Sequence, residues 1–476
     1  MTTKTWARGQ LPALLLLTSV ELVVFLDVSI VNVALPAMGA ALTLGEVGLA
    51  WVVNAYQLTF GGLQLLAGRL ADLAGRRRVF QAGLAVFTVA SLLAGVAPNA
   101  AVLIAARALQ GVGAAVVIPA QLALLAAIFT APAAYRRAFG VWSAMGAAGA
   151  ASGVALGGIL TQLAGWGAIF LINLPVGLAA LALGNRYLPP DTRDARTGGG
   201  RLDLAGALSG TGALLALVYL VSELATRGWD ALTLAAAAAT VLLAMLFVLN
   251  QRRSPAPLVP PVLLRLRDVR ASAVASVLVG AAHVPAFVLM SLFLQDVLGY
   301  SAIAAGFAVL PIAVTNLVTA RTLLPWALGR YGPRVVLAAG MGLLATGLAA
   351  FALLLTPQAG FWTAVLPASV VFGVGLPAVF VGSTAPAVRA APKDATGAAS
   401  GLVNTFQRVG AALGVTAALV ASQSWAGSHG GALADGLRLA LAGAALVAVA
   451  GVACALAMLT RQPAAAPETH ELEGRR

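Results

Sequence analysis

Apolar runs of about 20 residues recur from end to end of the chain, each long enough to cross a hydrocarbon core of roughly 30 Å. A soluble core could not hide so many. Their spacing and their Ala, Leu and Gly richness favour helices over barrel strands, because a helix closes its own backbone hydrogen bonds in lipid. The pattern predicts helices over residues 11–33, 47–67, 79–97, 100–128, 138–162, 166–187, 204–224, 230–250, 271–294, 301–324, 334–356, 360–388, 397–421 and 435–460, fourteen in all. Lys4 and Arg8 ahead of the first run imitate a secretory signal. Glu21 and Asp27 continue inside that run and no small-residue cleavage site follows closely, so a retained first helix is expected.

Charge orients the bundle. Only 9% of the residues are charged, against 60% hydrophobic, and 24 of the 29 basic residues fall on one side if both termini are cytoplasmic, with Arg227 and Arg438 on the other. The net charge of +13 is then an orientation signal and a contact with anionic lipid, not a nucleic-acid footprint. Arg107, Arg321 and Arg408 are the exceptions that fall within apolar segments, and Arg321 is expected to snorkel from a helix end. Cys454 is the single cysteine, which excludes an intramolecular disulfide and a cysteine metal cluster. Residues 461–476, rich in Pro, Ala and charge, read as a short disordered cytoplasmic tail.

One turn breaks the apolar pattern most sharply. Residues 68–78 read Gly68-Arg69-Leu70-Ala71-Asp72-Leu73-Ala74-Gly75-Arg76-Arg77-Arg78, and a cytoplasmic arginine bias alone does not explain Asp72 or the paired glycines. Residues 325–334 echo it in degraded form, with Gly329 where Asp72 stood and Gly332-Pro333-Arg334 at the end. Two related halves are implied, as in transporters built from repeats with a substrate site between them near the midplane. The turn resembles the loop between the second and third helices of the major facilitator superfamily, Gly-x-Leu-Ala-Asp-x-x-Gly-Arg-Arg-x. Leu26-Asp27-Val28-Ser29-Ile30-Val31-Asn32-Val33-Ala34-Leu35-Pro36 is similar to the first-helix signature of the fourteen-helix drug:proton antiporters of that superfamily, with Ser29 for the usual threonine. Arg107-Ala108-Leu109-Gln110-Gly111, Phe170-Leu171-Ile172-Asn173-Leu174-Pro175 and Ser400-Gly401-Leu402-Val403-Asn404-Thr405 resemble further motifs of the family, so the likeness covers nearly the whole chain.

The resemblance implies an all-α membrane protein of the major facilitator fold: a cytoplasmic N-terminus (1–10), a six-helix bundle (11–187), a linker with two extra helices (188–270), a second six-helix bundle (271–460) and the tail. It also implies roles. Gly68, Asp72, Gly75, Arg76 and Arg77 would form a conformational switch, with Asp72 at the N-terminus of a helix beginning near Thr396. One departure stands out: the fifth-helix motif normally holds Gly-Pro-x-x-Gly-Gly, and Val154 occupies the proline position. Gly149, Gly153 and Gly157 still share one helix face, and with Gly158 they would let helices approach closely.

Charge embedded in hydrocarbon costs several kcal/mol unless paired, so Glu21, Asp27 and Arg107 are the candidates for chemistry. Glu21 and Asp27 are six residues apart, about 120° around the helix and about 9 Å along it, and cannot both face one small site. Geometry alone does not choose between them; the resemblance favours Asp27, exposed to a cavity or paired with Arg107. A movement that makes or breaks such a pair would load and release a proton. Static roles, a hydrogen-bonded first helix and an interhelical tie, are the alternatives.

Asn54, Gln57, Gly61 and Gln64 make one polar lane on the second helix, lining a wet cavity or tying helices together. Asn32, Gln110, His283 and Asn404 are the remaining candidates for the cavity wall, with Arg408 one turn after Asn404. An ATP-driven pump is excluded because neither lysine, Lys4 or Lys393, stands in a phosphate-binding loop, and the scattered His283, His429 and His470 assemble no enzyme or metal site. The expectation is therefore a monomeric, cofactor-free, multi-pass protein of the cytoplasmic membrane that uses the proton gradient to export lipophilic or cationic drugs or antibiotics. A dedicated exporter of one metabolite or antibiotic, or a proton-coupled importer, are the rivals.

Overall fold

The computed structural model describes residues 9–191, 202–255, 257–392, 395–429 and 433–460. The expected tail, the basic run 193–201 and the side chain of Asp72 lie outside the described residues. Within them the chain is helical throughout, with no strand. The first half comprises α1 (Gln10–Leu42), α2 (Glu46–Ala74), α3 (Arg76–Gly95), α4 (Ala100–Ile128), α5 (Pro132–Ala164) and a broken last span, α6 (Ala168–Leu171) with α7 (Asn173–Tyr187). The hairpin α8 (Leu204–Arg227) and α9 (Ala231–Arg253) and the short α10 (Pro261–Arg265) follow. The second half comprises α11 (Arg267–Leu292), α12 (Ala302–Arg321), α13 (Leu323–Leu354), α14 (Leu366–Ala390), α15 (Thr396–His429) and α16 (Leu433–Met458).

Among the described residues, twelve helical segments are long and apolar enough to cross a membrane. The long helices α2 and α15 fall outside that set, and they are the ones that carry Asn54, Gln57 and Gln64, and Asn404 and Arg408. The helix expected to end at residue 33 runs on through Pro36 to Leu42. Neighbouring helices make such a proline tolerable in a membrane helix.

The halves repeat one packing plan. In the first, α1 lies on α5 and α4 on α2 and α3; in the second, α11 lies on α15 and α14 on α12 and α13. Across the division α2 meets α15 and α5 meets α12, and the α8–α9 hairpin rests on α2 and α15. The repeated turn is visible in the backbone too. Gly75 (φ 98°) separates α2 from α3, and Gly332 (φ 72°) kinks α13 at the matching point, a left-handed conformation that suits glycine in both places.

Apolar packing joins the halves most extensively toward one end, and a smaller cluster of Leu58 of α2, Val218 of α8 and Ala412 of α15 joins them further along. A single core runs from Leu26–Met38 of α1, the start of α2 and Val154 of α5 into α11, α12, α13 and α16. Toward the opposite end, where α1 begins, the first half has a core of its own around Leu17, Phe80, Phe87 and Leu124, and Leu263, Val269 and Leu402 of the second half form another. Within this joined core, a small crevice between the halves is lined by Asn32, Val33, Val154, Phe287, Ser291, Ala305 and Val309.

Candidate functional site

The glycine face of α5 sets how deeply α1 is held. A Cβ on Gly149 would collide with the carbonyl of Leu22, one on Gly153 would lie 2.8 Å from the carbonyl oxygen of Leu26, and one on Gly157 would lie 2.8 Å from that of Ile30. Gly158 faces the other way, against the carbonyl of Ala302 on α12, and so belongs to the division between halves. Val154 points its carbonyl at Gly306, again on α12, where a Cβ would come within 2.6 Å.

That close approach places Asp27 at the centre of a buried network. Asp27 is 0% and Arg107 2% exposed, and an Arg107 terminal nitrogen donates to Asp27 Oδ2 at 2.6 Å. The other carboxylate oxygen accepts from Gln110 Nε2 at 3.1 Å and Asn173 Nδ2 at 2.9 Å. Both amides also donate to the Ser91 hydroxyl, at 2.8 and 3.2 Å. Arg107 donates further to the Val52 carbonyl (3.1 Å) and Gln110 Oε1 (2.9 Å), and its guanidinium lies 4.4 Å from the Tyr56 ring centroid. Five helices thus converge on one ion pair. Pairing and several donors offset the desolvation that an isolated buried ion would suffer. Gln110, expected on the cavity wall, is 0% exposed and spends its amide inside this network.

Glu21 is in the opposite situation. It is 1% exposed, packed against Gly146 and Phe25, and its Oε2 has no hydrogen-bond partner. The two acids of α1 therefore occupy separate environments, as their spacing requires.

The polar lane of α2 faces the second half. Asn54 donates to Thr416 Oγ1 at 2.7 Å, Gln57 accepts from Arg408 at 2.6 Å, and the Gly61 carbonyl accepts from Thr405 at 2.8 Å. Gln64 has an unpartnered carbonyl oxygen. Of the remaining candidates, Asn32 lines the crevice, Asn404 is half-buried on α15, and His283 is packed. The His283 ring stands edge-on to Phe380 at 5.1 Å, with Nδ1 2.7 Å from the Val279 carbonyl. Arg321 is exposed at the end of α12. No group of His, Cys, Asp or Glu among the described residues is arranged to hold a metal.

At the switch turn, Gly68 approaches Pro119 of α4, and Arg76 reaches the Ala123 carbonyl at 3.4 Å. A residue not singled out in the sequence holds the turn. Asp191 accepts from the backbone N–H groups of Arg77 (2.8 Å) and Arg78 (3.2 Å), the first turn of α3, where a carboxylate meets the helix's positive end. A Cβ at Gly75 would lie 2.5 Å from its carboxyl carbon. Asn173, Ser91 and Asp191 were legible only as ordinary polar residues. Asn173 alone stood inside a quoted motif.

Residues 17–415 match the family model for the Major Facilitator Superfamily. A cephamycin export protein of Amycolatopsis lactamdurans is 38% identical over 455 residues, covering 94% of this chain and 91% of that one. A puromycin resistance protein of Streptomyces alboniger is 40% identical over 429 residues (88% and 83%), and a multidrug resistance protein of Mycobacterium tuberculosis is 34% identical over 392 (82% and 72%). Among solved structures, a nucleoside transporter superposes with TM-score 0.69 at 11% identity, covering 94% of this chain and 100% of that one. A bacterial homologue of the human lysosomal transporter Spinster does so with TM-score 0.64 at 17% identity (95% and 97%). At those identities the likeness is one of fold.

Proposed function

The chain belongs to the Major Facilitator Superfamily of transporters, and from that premise we propose that it exports small lipophilic compounds across the cytoplasmic membrane in exchange for protons. The relatives named for export and resistance support the direction. The observation that carries the coupling is the pair of acids on α1, one locked to Arg107 at 2.6 Å and one buried with an unpartnered oxygen. Carboxylates held in an apolar bundle respond strongly to any change in their partners.

Both termini are cytoplasmic in this reading, and the fourteen spans are the twelve apolar segments together with α2 and α15. The larger joined core would then lie toward the outer face, and a compound would enter from the cytoplasm when the halves part at the opposite end. Rocking of the halves about α2–α15 and α5–α12 would expose the same site outside. The switch turn, clamped by Asp191, lies at the cytoplasmic end of that motion. The molecule acts as a monomer, with lipid around it and no cofactor beyond the proton gradient.

A cavity walled by Leu, Val, Ala and a few amides should accept several bulky apolar compounds with modest affinity. Cells making the protein should lose accumulation of more than one unrelated lipophilic dye or antibiotic, and a protonophore should restore it. Protection against a single compound would favour a dedicated exporter. Export indifferent to the protonophore would remove proton coupling.

A further inference from the structure

Arg408 is a membrane-embedded cation for which no anion is supplied among the described residues. It lies twelve residues into α15, about 18 Å along the helix from Thr396 and so near mid-depth. The Asp27 carboxylate is already committed to Arg107. Among the described residues no carboxylate makes an ion pair with Arg408. One terminal nitrogen donates to Gln57 Oε1 at 2.6 Å, the guanidinium carbon sits 3.5 Å from the Phe60 ring centroid, and the buried Nε has no partner. The ring of Tyr56 meets that of Phe60, and the Tyr56 hydroxyl, on a residue 1% exposed, is also unpartnered.

The seat is built, not incidental. Gly61 is the residue of α2 beneath Arg408, and a Cβ there would come within 2.9 Å of Arg408 Cβ and Cδ. Phe60 and Tyr56 are one turn apart and meet edge to face at 5.7 Å, so the ring under Arg408 leans on the ring under Arg107. An aromatic face and one amide position the guanidinium without neutralising it. A planar guanidinium with free N–H groups recognises carboxylate-like anions through paired hydrogen bonds, and it is most effective where water is scarce. The tyrosine hydroxyl adds a neutral donor.

We propose that Arg408, with the Tyr56 hydroxyl, binds the anionic group of an amphiphilic substrate between α2 and α15. The transported class then comprises aromatic or apolar compounds bearing a carboxylate or similar anion, alone or as zwitterions, in place of the simple cations that the α1 acids suggest from sequence. This rests on the export reading for its biological use, but the binding site does not depend on transport.

The test is equilibrium binding to the purified full-length protein in lipid nanodiscs, read by fluorescence anisotropy with empty discs subtracted. The anion fluorescein and the cation ethidium are the two probes. Arg408→Gln should weaken fluorescein binding about tenfold or more, the loss of one charge-assisted contact, and leave ethidium within about twofold. Arg408→Lys, which keeps the charge but loses the planar paired donors, should fall between the natural protein and Arg408→Gln for fluorescein, and Tyr56→Phe should lose a few-fold. A merely structural Arg408 would move both dyes together. Equal losses for both dyes in Arg408→Gln, unchanged fluorescein binding in that variant, or saturable binding of ethidium but not of fluorescein to the natural protein would each overturn the proposal. If charge-selective binding persists while vesicles show no gradient-driven dye movement, the export reading fails and the anion site stands.

Discussion

Asp27→Asn removes one charge and almost no volume, which makes it the sharpest perturbation of the buried network. In the natural protein the carboxylate receives Arg107 at 2.6 Å, Asn173 at 2.9 Å and Gln110 at 3.1 Å. The amide cannot accept on both atoms, so one of these donors is opposed by an N–H, and Arg107 is left buried without its counter-charge. Breaking one side of a buried ion pair typically costs about 3–5 kcal/mol. The Val52 carbonyl, Gln110 Oε1 and the Tyr56 ring remain on the guanidinium and hold the loss toward the lower end. The expected result is a protein that still inserts, with a lowered thermal midpoint and no pH-gradient-driven uptake of substrate into inside-out vesicles. Arg107→Gln alone should be damaging, whereas Asp27→Asn with Arg107→Gln should recover stability, though not transport, because no unpaired charge is left. Wild-type gradient-driven transport by Asp27→Asn would refute the reasoning and move the exchanged proton to Glu21. Additive stability losses in the double variant would show that the pair is not coupled.

Other outcomes follow from single features. Gly149→Val should lower the thermal midpoint of the purified protein through overpacking worth about 1–3 kcal/mol or more against the Leu22 carbonyl, while Gly140→Ala, with open space around its Cβ position, should be silent. Asp191→Ala should remove about 1 kcal/mol of capping from α3 and speed hydrogen exchange at the Arg77 and Arg78 amides; unchanged exchange would mean that the switch turn does not need this acid. In a Cys454→Ala background, Thr197→Cys and Trp229→Cys should label from opposite faces of the membrane, Trp229 being preferable to Gly228 with its φ of 67°. Labelling from the same face would remove the α8–α9 pair from the bilayer.

The sequence carried the helices further than it carried the site. The span 100–128 coincides with α4, because Asn99 caps it through the Val102 N–H and the apolar run is unbroken. Pro36 misplaced the end of α1, since proline ends a soluble helix far more reliably than one supported by neighbours in lipid. The break at Ile172 and the π-helical turn at Phe293–Val297 leave no mark in hydropathy. In the site, spacing separated Glu21 from Asp27 but did not rank them, and the motif resemblance supplied Arg107 as a partner. Ser91 and Asn173 join Asp27 from α3 and α7, and Arg408 meets Gln57 across 351 residues of chain, relations that only the packed bundle creates.

Proton-coupled export is tested most directly in proteoliposomes holding the purified protein and an exported dye, with a pH gradient imposed across a sealed bilayer and dye and proton movements recorded together. The account predicts that dye moves uphill against inward proton flow, that both fluxes stop with a protonophore, and that added dye draws protons across in the absence of an imposed gradient. Dye movement that is merely downhill, or that proceeds with no proton counterflow, would contradict it.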